Sequence, residues 1–382
     1  MAARDAVIVE AVRTPVGRRN GGLASTHPVD LSAHLLRALA ERTGIDPAQV
    51  EDVVWGVGAQ VGDQSFNVAR SAVLAAGWPE SIPGVSIDRQ CGSSQQAVHF
   101  AAAGLVAGHH DVVVAGGIES MSRVPMGASA AGGEPYGPGL LARYDGVAPN
   151  QGVGAELIAE RWGFSRTQLD EFALSSHERA AAAIDAGRFT AQIAPVTTAD
   201  GVVDTDEGVR RGGTVESLAQ LRPAFREDGT VTAGNASQIS DGGGALLMMT
   251  SAKAAELGLT PIARVHSVAV AAEDPVIMLT APIPATAKVL KRAGLTLADI
   301  DCFEVNEAFA SVALAWLAET GADREKLNPN GGAIALGHPI GGSGARIMTT
   351  LVHHLRDTGG RYGLQTMCEG GGMANATIIE AL

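Results

Sequence analysis

The stretch Gly44-Ile45-Asp46-Pro47-Ala48-Gln49-Val50-Glu51-Asp52-Val53-Val54-Trp55-Gly56-Val57 has an echo far along the chain, in Gly294-Leu295-Thr296-Leu297-Ala298-Asp299-Ile300-Asp301-Cys302-Phe303-Glu304-Val305. In the first, Gly44-Ile45 leads through Val50-Glu51 into an apolar run, Asp52 to Val57, that reads as a strand. In the second, Gly294-Leu295 leads through Ile300-Asp301 into the strand Cys302 to Val305, with matching spacing. A further echo runs in the same order. Cys91-Gly92-Ser93-Ser94 opens one helix, and Gly341-Gly342-Ser343-Gly344 opens another, Ala345 to Arg356. The chain therefore reads as a duplicated α/β unit.

Working outward, Ala6 to Val12 reads as a strand, Leu31 to Thr43 as a helix, Ser65 to Ala76 as a helix and Gly84 to Ile87 as a strand. Gln95 to Ala107 is an Ala-rich helix and Asp111 to Ala115 a fully buried strand. Such alternation predicts layered α/β architecture with a mixed, largely parallel sheet. From Glu119 to Ser240 the rhythm breaks. Gly132 to Pro138 is rich in Gly and Pro, Thr167 to Ala186 is a charged amphipathic helix, and Asp200 to Arg226 is a turn-rich tract. The expected organisation is a first half, residues 1–118 plus 241–262, an inserted loop domain at 119–240, and a second half at 263–382.

With 382 residues, 46% of them hydrophobic, the chain has enough apolar material for two core domains or one large layered body. A net charge of −13 argues against a nucleic-acid or anionic-membrane binder, both of which need clustered Lys and Arg. It leaves room for a small anionic ligand on a local basic patch. The three cysteines, Cys91, Cys302 and Cys368, are too few and too scattered for a disulfide framework, and no Cys/His spacing suggests zinc. Met1 to Val12 lacks the apolar segment of a signal peptide, the C-terminal Glu-Ala-Leu is no peroxisomal address, and no apolar run reaches membrane-spanning length. A reduced, cytoplasmic setting is expected.

Among the reactive side chains, Cys91 lies in Asp88-Arg89-Gln90-Cys91-Gly92-Ser93-Ser94, between a short strand and a helix. A thiol there faces free amide N–H groups and the positive end of the helix dipole, which favour the thiolate. A buried structural cysteine is the competing reading. His338, in Leu336-Gly337-His338-Pro339-Ile340-Gly341-Gly342, is fixed in direction by its neighbours and reachable by a ligand, whereas His109-His110 and His353-His354 read as solvated. A Cys and a His brought together form the minimal activated nucleophile. Cys368 ends an apolar run and meets Gly370-Gly371-Gly372, whose amides suit an anion, while Cys302 has no such neighbours and reads as core. Asn306, in Asn306-Glu307-Ala308-Phe309, either caps the following helix or holds a water against a developing oxyanion. Gly56-Val57-Gly58 does not complete a dinucleotide fingerprint, and Ser343 misses the nucleophile-elbow pattern.

Together these segments resemble the thiolase family. The likeness spans nearly the whole chain and includes Arg13-Thr14-Pro15-Val16-Gly17, the Cys91 segment, Gly116-Gly117-Ile118-Glu119-Ser120-Met121-Ser122, Thr232-Ala233-Gly234-Asn235-Ala236-Ser237, Asn306-Glu307-Ala308-Phe309, the His338 segment and Cys368-Glu369-Gly370-Gly371-Gly372. The resemblance implies a five-layered αβαβα thiolase fold, built from two similar halves with a loop domain inserted in the first. It implies an acyltransferase that cleaves 3-ketoacyl-CoA with CoA, or runs the reverse condensation. Cys91 would carry the acyl group, His338 would activate it, and Cys368, at a free-thiol pKa of about 8.5, would serve as acid and base. Asn306 would position an oxyanion-hole water, and the amides of Cys91 and Gly370 would form a second hole. Arg210, Phe225, Ala233, Ser237, Ala308 and Phe309 would bind coenzyme A, which is a substrate. No other cofactor and no metal is implied. The partners expected are acyl-CoA and CoA, with a homodimer or homotetramer as the assembly and neither nucleic acid nor membrane.

One departure concerns the substrate. Where short-chain biosynthetic members of the family have His-Met before the residue matching Gly152, this chain has Asn150-Gln151. The family's Met helps close the acyl pocket, so a degradative enzyme taking a longer or branched 3-ketoacyl-CoA is expected. Two other classes compete. A ketosynthase-type condensing enzyme would present His where Cys368 stands, and a non-catalytic acyl-CoA or lipid binder would have lost one reactive residue. A reversible Cys91–Cys368 disulfide could coexist with catalysis.

Overall fold

Alternate residues of the strand Val112–Ser120 enter different cores. Val112 and Val114 join one apolar cluster, and Val113 and Ala115 join another on the opposite face. A period of two produces this whenever both faces of a sheet are covered. The computed structural model describes residues 4–382. In chain order its strands are β1 (Val7–Arg13), β2 (Gly17–Arg18), β3 (Asp52–Gly56), β4 (Val85–Ile87), β5 (Val112–Ser120), β6 (Val196–Thr198), β7 (Gly201–Val203), β8 (Ser240–Met249), β9 (Ala263–Ala272), β10 (Cys302–Val305), β11 (Tyr362–Glu369) and β12 (Met373–Ala381).

Ten of these strands form one sheet in the order β10-β11-β12-β9-β1-β8-β5-β3-β4, with β2 on β8. The two halves meet at β1 and β9 through the pairs Val7–Arg264 and Ile8–Ala263. Within each half the pattern is the same. β3 runs parallel to β5 and β10 parallel to β11, with Asp52 opposite Val113 and Cys302 opposite Gly363. β5 pairs antiparallel with β8 as β11 does with β12, and β8 pairs antiparallel with β1 as β12 does with β9. Positions therefore correspond at a constant offset: Asp52 with Cys302, Ser93 with Ser343, Gly117 with Met367 and Glu119 with Glu369. The expectation of a largely parallel sheet is corrected, since only β3–β4, β3–β5 and β10–β11 run parallel among its pairings. β12 returns from β11 through a tight glycine turn, and β8 returns from β5 after the long central segment. Both reversals make antiparallel neighbours.

Three core clusters lie between successive layers. The first packs the helices Pro28–Thr43 and Val68–Ala75 on the outer face of the first half's strands. The second fills the centre, where the helices Ser93–Ala107 and Ser343–Thr358 pack together between the two sheet halves. The third packs Pro282–Ala293 and Ala310–Thr320 on the outer face of the second half. The order is thus helix, sheet, helix, sheet, helix. The two central helices approach closely because Gly344 has no side chain; a Cβ there would collide with the Gln95 backbone. Their starts are also joined directly, Ala345 N donating to Ser94 Oγ at 2.9 Å.

The segment between β5 and β8 carries the helices Gln151–Trp162 and Arg166–Asp185, the latter opened by a capping box from Ser165 and Gln168. It is tied back to β1 by Arg13, which is fully buried. Arg13 donates to Asp206 from Nη1 at 2.7 Å and Nη2 at 2.9 Å, and from Nε to Gln192 Oε1 at 2.8 Å. Breaking such a pair leaves an uncompensated buried charge and costs about 3–5 kcal/mol. That accounts physically for the Arg13-Thr14-Pro15 motif.

Candidate active site

Cys91 stands on a strand–turn–helix elbow between β4 and the helix Ser93–Ala107. Asp88 accepts from the Gln90 amide at 2.6 Å, and Gln90 is left with φ of 49°, in the left-handed region. Ser93 completes the turn, accepting from Arg89 N at 2.9 Å and donating to Gln90 O at 2.6 Å. The sulfur is thereby presented at the start of a central helix, with the amides of Cys91 and Gly370 directed at it. Burial nonetheless pushes its pKa up to about 12, with Glu369 adding to the rise and the two amides opposing it. The amides act in the direction expected from the sequence. Desolvation of the charge outweighs the dipole.

His338 follows Gly337, whose φ of 99° and whose contact with Ser240 exclude a side chain. Its Nδ1 lies 2.6 Å from Ser343 Oγ, and that hydroxyl donates to Pro339 O at 2.8 Å. With its one hydrogen committed, Ser343 can only accept, so Nδ1 carries the ring proton and Nε2 is a bare lone pair. Burial, helped by Arg346, lowers the His338 pKa to about 3. The ring is a neutral base.

Asn306 directs Nδ2 at His338 Nε2 from 3.4 Å. Its own backbone is held in the sheet, its N–H donating to Thr366 O at 3.0 Å. Asn306 Oδ1 is buried without a hydrogen-bond partner, the arrangement that a bound water would satisfy. Cys368, near the end of β11, is fully buried, and burial lifts its pKa well above the ordinary thiol value, with a charge on Cys91 pushing the same way. The free-thiol value expected from sequence is corrected by that burial.

A cavity of about 270 Å³ opens beside Cys91 and His338, lined by Met121, Met126, Gln151, Ile239 and Ile340 with Phe225, Ser237, Ala308 and Phe309. Phe225 meets Phe309 edge-on at 5.9 Å between ring centroids, and Ser237 N donates to Ala308 O at 2.9 Å. Two residues expected to hold coenzyme A lie outside this lining. Arg210 lines a separate depression with His177 and Arg211, and Ala233 is exposed on the Thr232–Asn235 turn. Arg211 is engaged with Asp185 at 2.7 Å.

Sequence reasoning passed over two residues that build the site. Ser343, set aside as no elbow nucleophile, orients the imidazole; its place directly after the His338 glycines was the available signal. Glu119 accepts from Gly58 N at 2.8 Å, Ala59 N at 3.2 Å, Gly341 N at 2.7 Å and the Gln64 side chain, pinning the His338 loop to the end of β5. His353, read as solvated, is buried with Nε2 3.1 Å from Ala11 O. Among the described residues no group of three or more His, Cys, Asp or Glu could hold a metal ion, and no helix is long and apolar enough to cross a membrane.

A layered, duplicated α/β body with a thiol and a neutral imidazole on one apolar cavity, and with Cys368 buried outside the lining but near enough for its charge to interact with that of Cys91, defines a thioester-handling acyl-transfer enzyme. Family models for the N-terminal and C-terminal domains of thiolase match residues 6–252 and 259–381. The chain is 50% identical to the steroid 3-ketoacyl-CoA thiolase FadA6 of Mycobacterium tuberculosis, over 99% of this chain and 94% of that one. It is 47% identical to the 3-ketoacyl-CoA thiolase of Pseudoalteromonas translucida, over 98% of both. The crystal structure of the Bacillus anthracis acetyl-CoA acetyltransferase superposes with a TM-score of 0.91 at 41% identity, covering 100% of each chain. The chain belongs to the thiolase family and is an acyltransferase.

Proposed function

We propose that this thiolase works in the degradative direction, cleaving 3-ketoacyl-CoA thioesters longer or more branched than acetoacetyl-CoA. The observation that carries this reading is the apolar cavity beside Cys91, with Gln151 on its wall. Gln151 makes only a weak contact, Nε2 to Met126 Sδ at 3.2 Å, while Asn150 is spent capping the helix through Gly152 and Val153. The names of the relatives, 3-ketoacyl-CoA thiolase and steroid 3-ketoacyl-CoA thiolase, point the same way.

In this mechanism His338 Nε2 takes the Cys91 proton as the sulfur attacks the 3-keto carbon, so no thiolate need exist beforehand. The oxyanion developing on the 3-keto oxygen is stabilised by the amides of Cys91 and Gly370, each donor contributing about 3 kcal/mol. The bond between C2 and C3 breaks, the acyl group stays on Cys91, and the acetyl-CoA enolate, its oxygen met by the newly protonated His338 Nε2 and a water on Asn306, takes a proton from Cys368. The Cys368 thiolate then removes the proton of the incoming CoA thiol, and that sulfur attacks the acyl-Cys91 carbonyl. The amides of Cys91 and Gly370 stabilise this second oxyanion, and the departing Cys91 sulfur recovers its proton from His338, which restores the thiol and the neutral imidazole.

Arg210, Phe225 and Ser237 are assigned the nucleotide and pantetheine of CoA, with Ala233, Ala308 and Phe309 along the arm; Arg210 and Ala233 lie outside the cavity. Residues 119–240 act as the CoA-binding insertion between the parts of the first half, 1–118 and 241–262, with 263–382 as the second half. A homodimer or homotetramer fits the 97% exposed Phe66 and the exposed Val85 on edge strand β4. A reducing, cytoplasmic compartment suits two thiols that must both stay free.

The test is thiolysis over a panel of 3-ketoacyl-CoAs of increasing length and branching. The reading requires kcat/KM to rise above that for acetoacetyl-CoA, and Gln151→Met to move the preference toward short chains by about tenfold. Turnover confined to acetoacetyl-CoA would overturn it.

A further inference from the structure

One buried carboxylate beside the reacting groups takes no part in the steps above. Glu307 directly follows Asn306 and is 1% exposed. Three donors meet it. Ser176 Oγ donates to Oε2 at 2.6 Å, the Ile334 amide donates to the same oxygen at 3.2 Å, and Asn328 Nδ2 donates to Oε1 at 2.9 Å. The Asn328 and Ile334 nitrogens can only donate, so Glu307 serves both as an acceptor. Burial pushes its carboxyl pKa up, and the three donors oppose that rise. A buried charge is held only where such partners compensate it.

Each donor comes from a different part of the molecule. Asn328 grips β10, accepting from Val305 N and donating to Val305 O, both at 2.9 Å, so Glu307 is fixed against the strand end that carries Asn306. Ile334 belongs to the single helical turn Ala333–Leu336, which runs straight into Gly337 and His338. That turn starts so close to the carboxyl that a Cβ at Gly332 would collide with it. The turn is also held through its carbonyls. Gln238 Nε2 donates to Ile334 O at 2.8 Å and to Ala335 O at 3.1 Å, and Gln238 O accepts from His338 N at 3.2 Å. Ser176 lies on the helix Arg166–Asp185 and also accepts from Gly332 N at 3.0 Å. The duplication supplies an internal control. The first-half counterparts of Asn306, Glu307 and His338 are Gly56, Val57 and Asp88. A buried apolar residue fills the place of Glu307 there, so the fold alone does not require a carboxylate.

We propose that Glu307 is a positioning residue for the thiolase reaction, its carboxylate tying the strand end that carries Asn306 to the helical turn that delivers His338. The 3.4 Å between Asn306 Nδ2 and His338 Nε2 is then set by one group that both segments share. This rests on the reading of His338 as the base and of Asn306 as the holder of the water that meets the enolate. Misplacing either by about 1 Å is enough to cost roughly 100-fold in rate. Ser176 adds a third tie and brings the helix Arg166–Asp185 into the same arrangement. Glu307 does not line the cavity, so its effect falls on the chemical steps and not on CoA binding.

The experiment measures kcat and KM for thiolysis in E307A, E307Q and S176A beside the wild type, each per folded enzyme as judged by tryptophan fluorescence. In parallel, 15N-histidine-labelled free enzyme is followed by NMR, with the His338 signals assigned by their loss in H338N. In the wild type one ring nitrogen is protonated and the other bare, which gives two well-separated signals. E307A is expected to lower kcat on the order of 100-fold with KM for CoA unchanged. Its loosened turn lets the ring leave Ser343, so both tautomers are sampled and the two signals draw together. E307Q keeps an oxygen for Ser176 and Ile334 and is expected to recover about tenfold of that loss. S176A removes one tie only and is expected to lower kcat about tenfold. With E307Q it carries the test if E307A does not fold. Wild-type kcat per folded enzyme and wild-type His338 signals in the variants that fold would overturn the proposal, leaving Glu307 a support of the fold alone. A loss confined to KM would overturn it as well. The NMR arm needs no turnover, so inactivity on every 3-ketoacyl-CoA would sink the functional reading and leave this one decided by the ring signals.

Discussion

Glu119 and Glu369 occupy corresponding places in the two halves, near the ends of β5 and β11, and the chain uses them in opposite ways. Glu119 is saturated, its acceptors engaged by Gly58, Ala59, Gln64 and Gly341. Glu369 is buried with no hydrogen-bond partner on either oxygen, lying so close to Gly92 that a Cβ there would collide with it. Gly341, whose amide Glu119 captures, is the counterpart of Cys91. At the second-half position, Glu369 leaves the Cys91 amide uncaptured, and that amide helps to lower the Cys91 pKa. One carboxylate pins a loop; the other frees a donor. Duplication provided two equivalent strand ends, and only one of them became chemical.

The comparison can be broken at several points. Cys91→Ala should cut thiolysis by at least about 10⁴-fold, with no acyl adduct by mass spectrometry after exposure to acyl-CoA. An adduct at another residue would move the chemistry away from the elbow that Glu369 leaves open. Cys368→Ala should cost on the order of 10²–10⁴-fold in steady-state cleavage while still allowing Cys91 to be acylated from acyl-CoA in a single turnover. Loss of both would mean that Cys368 does not act as a separate acid and base.

The two carboxylates should differ in denaturant titrations. Glu119→Gln removes a hub of four hydrogen bonds to a buried charge and should destabilise by about 3 kcal/mol. Glu369→Gln should be neutral or stabilising, with a pH signature. Burial pushes the Glu369 carboxyl up to about 8 against the pull of Arg89, so the protonated form is the one the fold favours. Its contribution is present at acid pH and is lost as pH rises through about 8. Glu369→Gln should therefore gain on wild type across that range, and a gap that narrows instead would contradict the assignment. The smallest effect is kinetic. With Cys91 at about 12, its alkylation by iodoacetamide should rise about tenfold per pH unit from 7 to 9 with no plateau. A plateau near neutrality would mean a preformed thiolate.

Much of this was legible in the chain before folding. The echo of Asp52 to Val57 in Cys302 to Val305 became β3 and β10, in equivalent places. Cys91, His338 and Cys368 stood out because glycines beside a reactive side chain signal close approach. The sense of the strands was not legible, since alternation of strand and helix does not reveal that β8 and β12 return antiparallel. Nor was the role of Glu119, a contact between the distant segments at 119 and 341; Ser343 lay within the His338 segment, but its hydroxyl orients the ring only because Pro339 O takes its hydrogen.

The sequence by itself determined the duplication, the family and the candidate reactive side chains, because those reside in local pattern and residue type. Tertiary structure alone decided their state. Burial turns a dipole-favoured thiolate into a thiol at about 12 and an ordinary imidazole into a base at about 3, because the cost of holding charge depends on what surrounds it in space, which no stretch of chain carries alone.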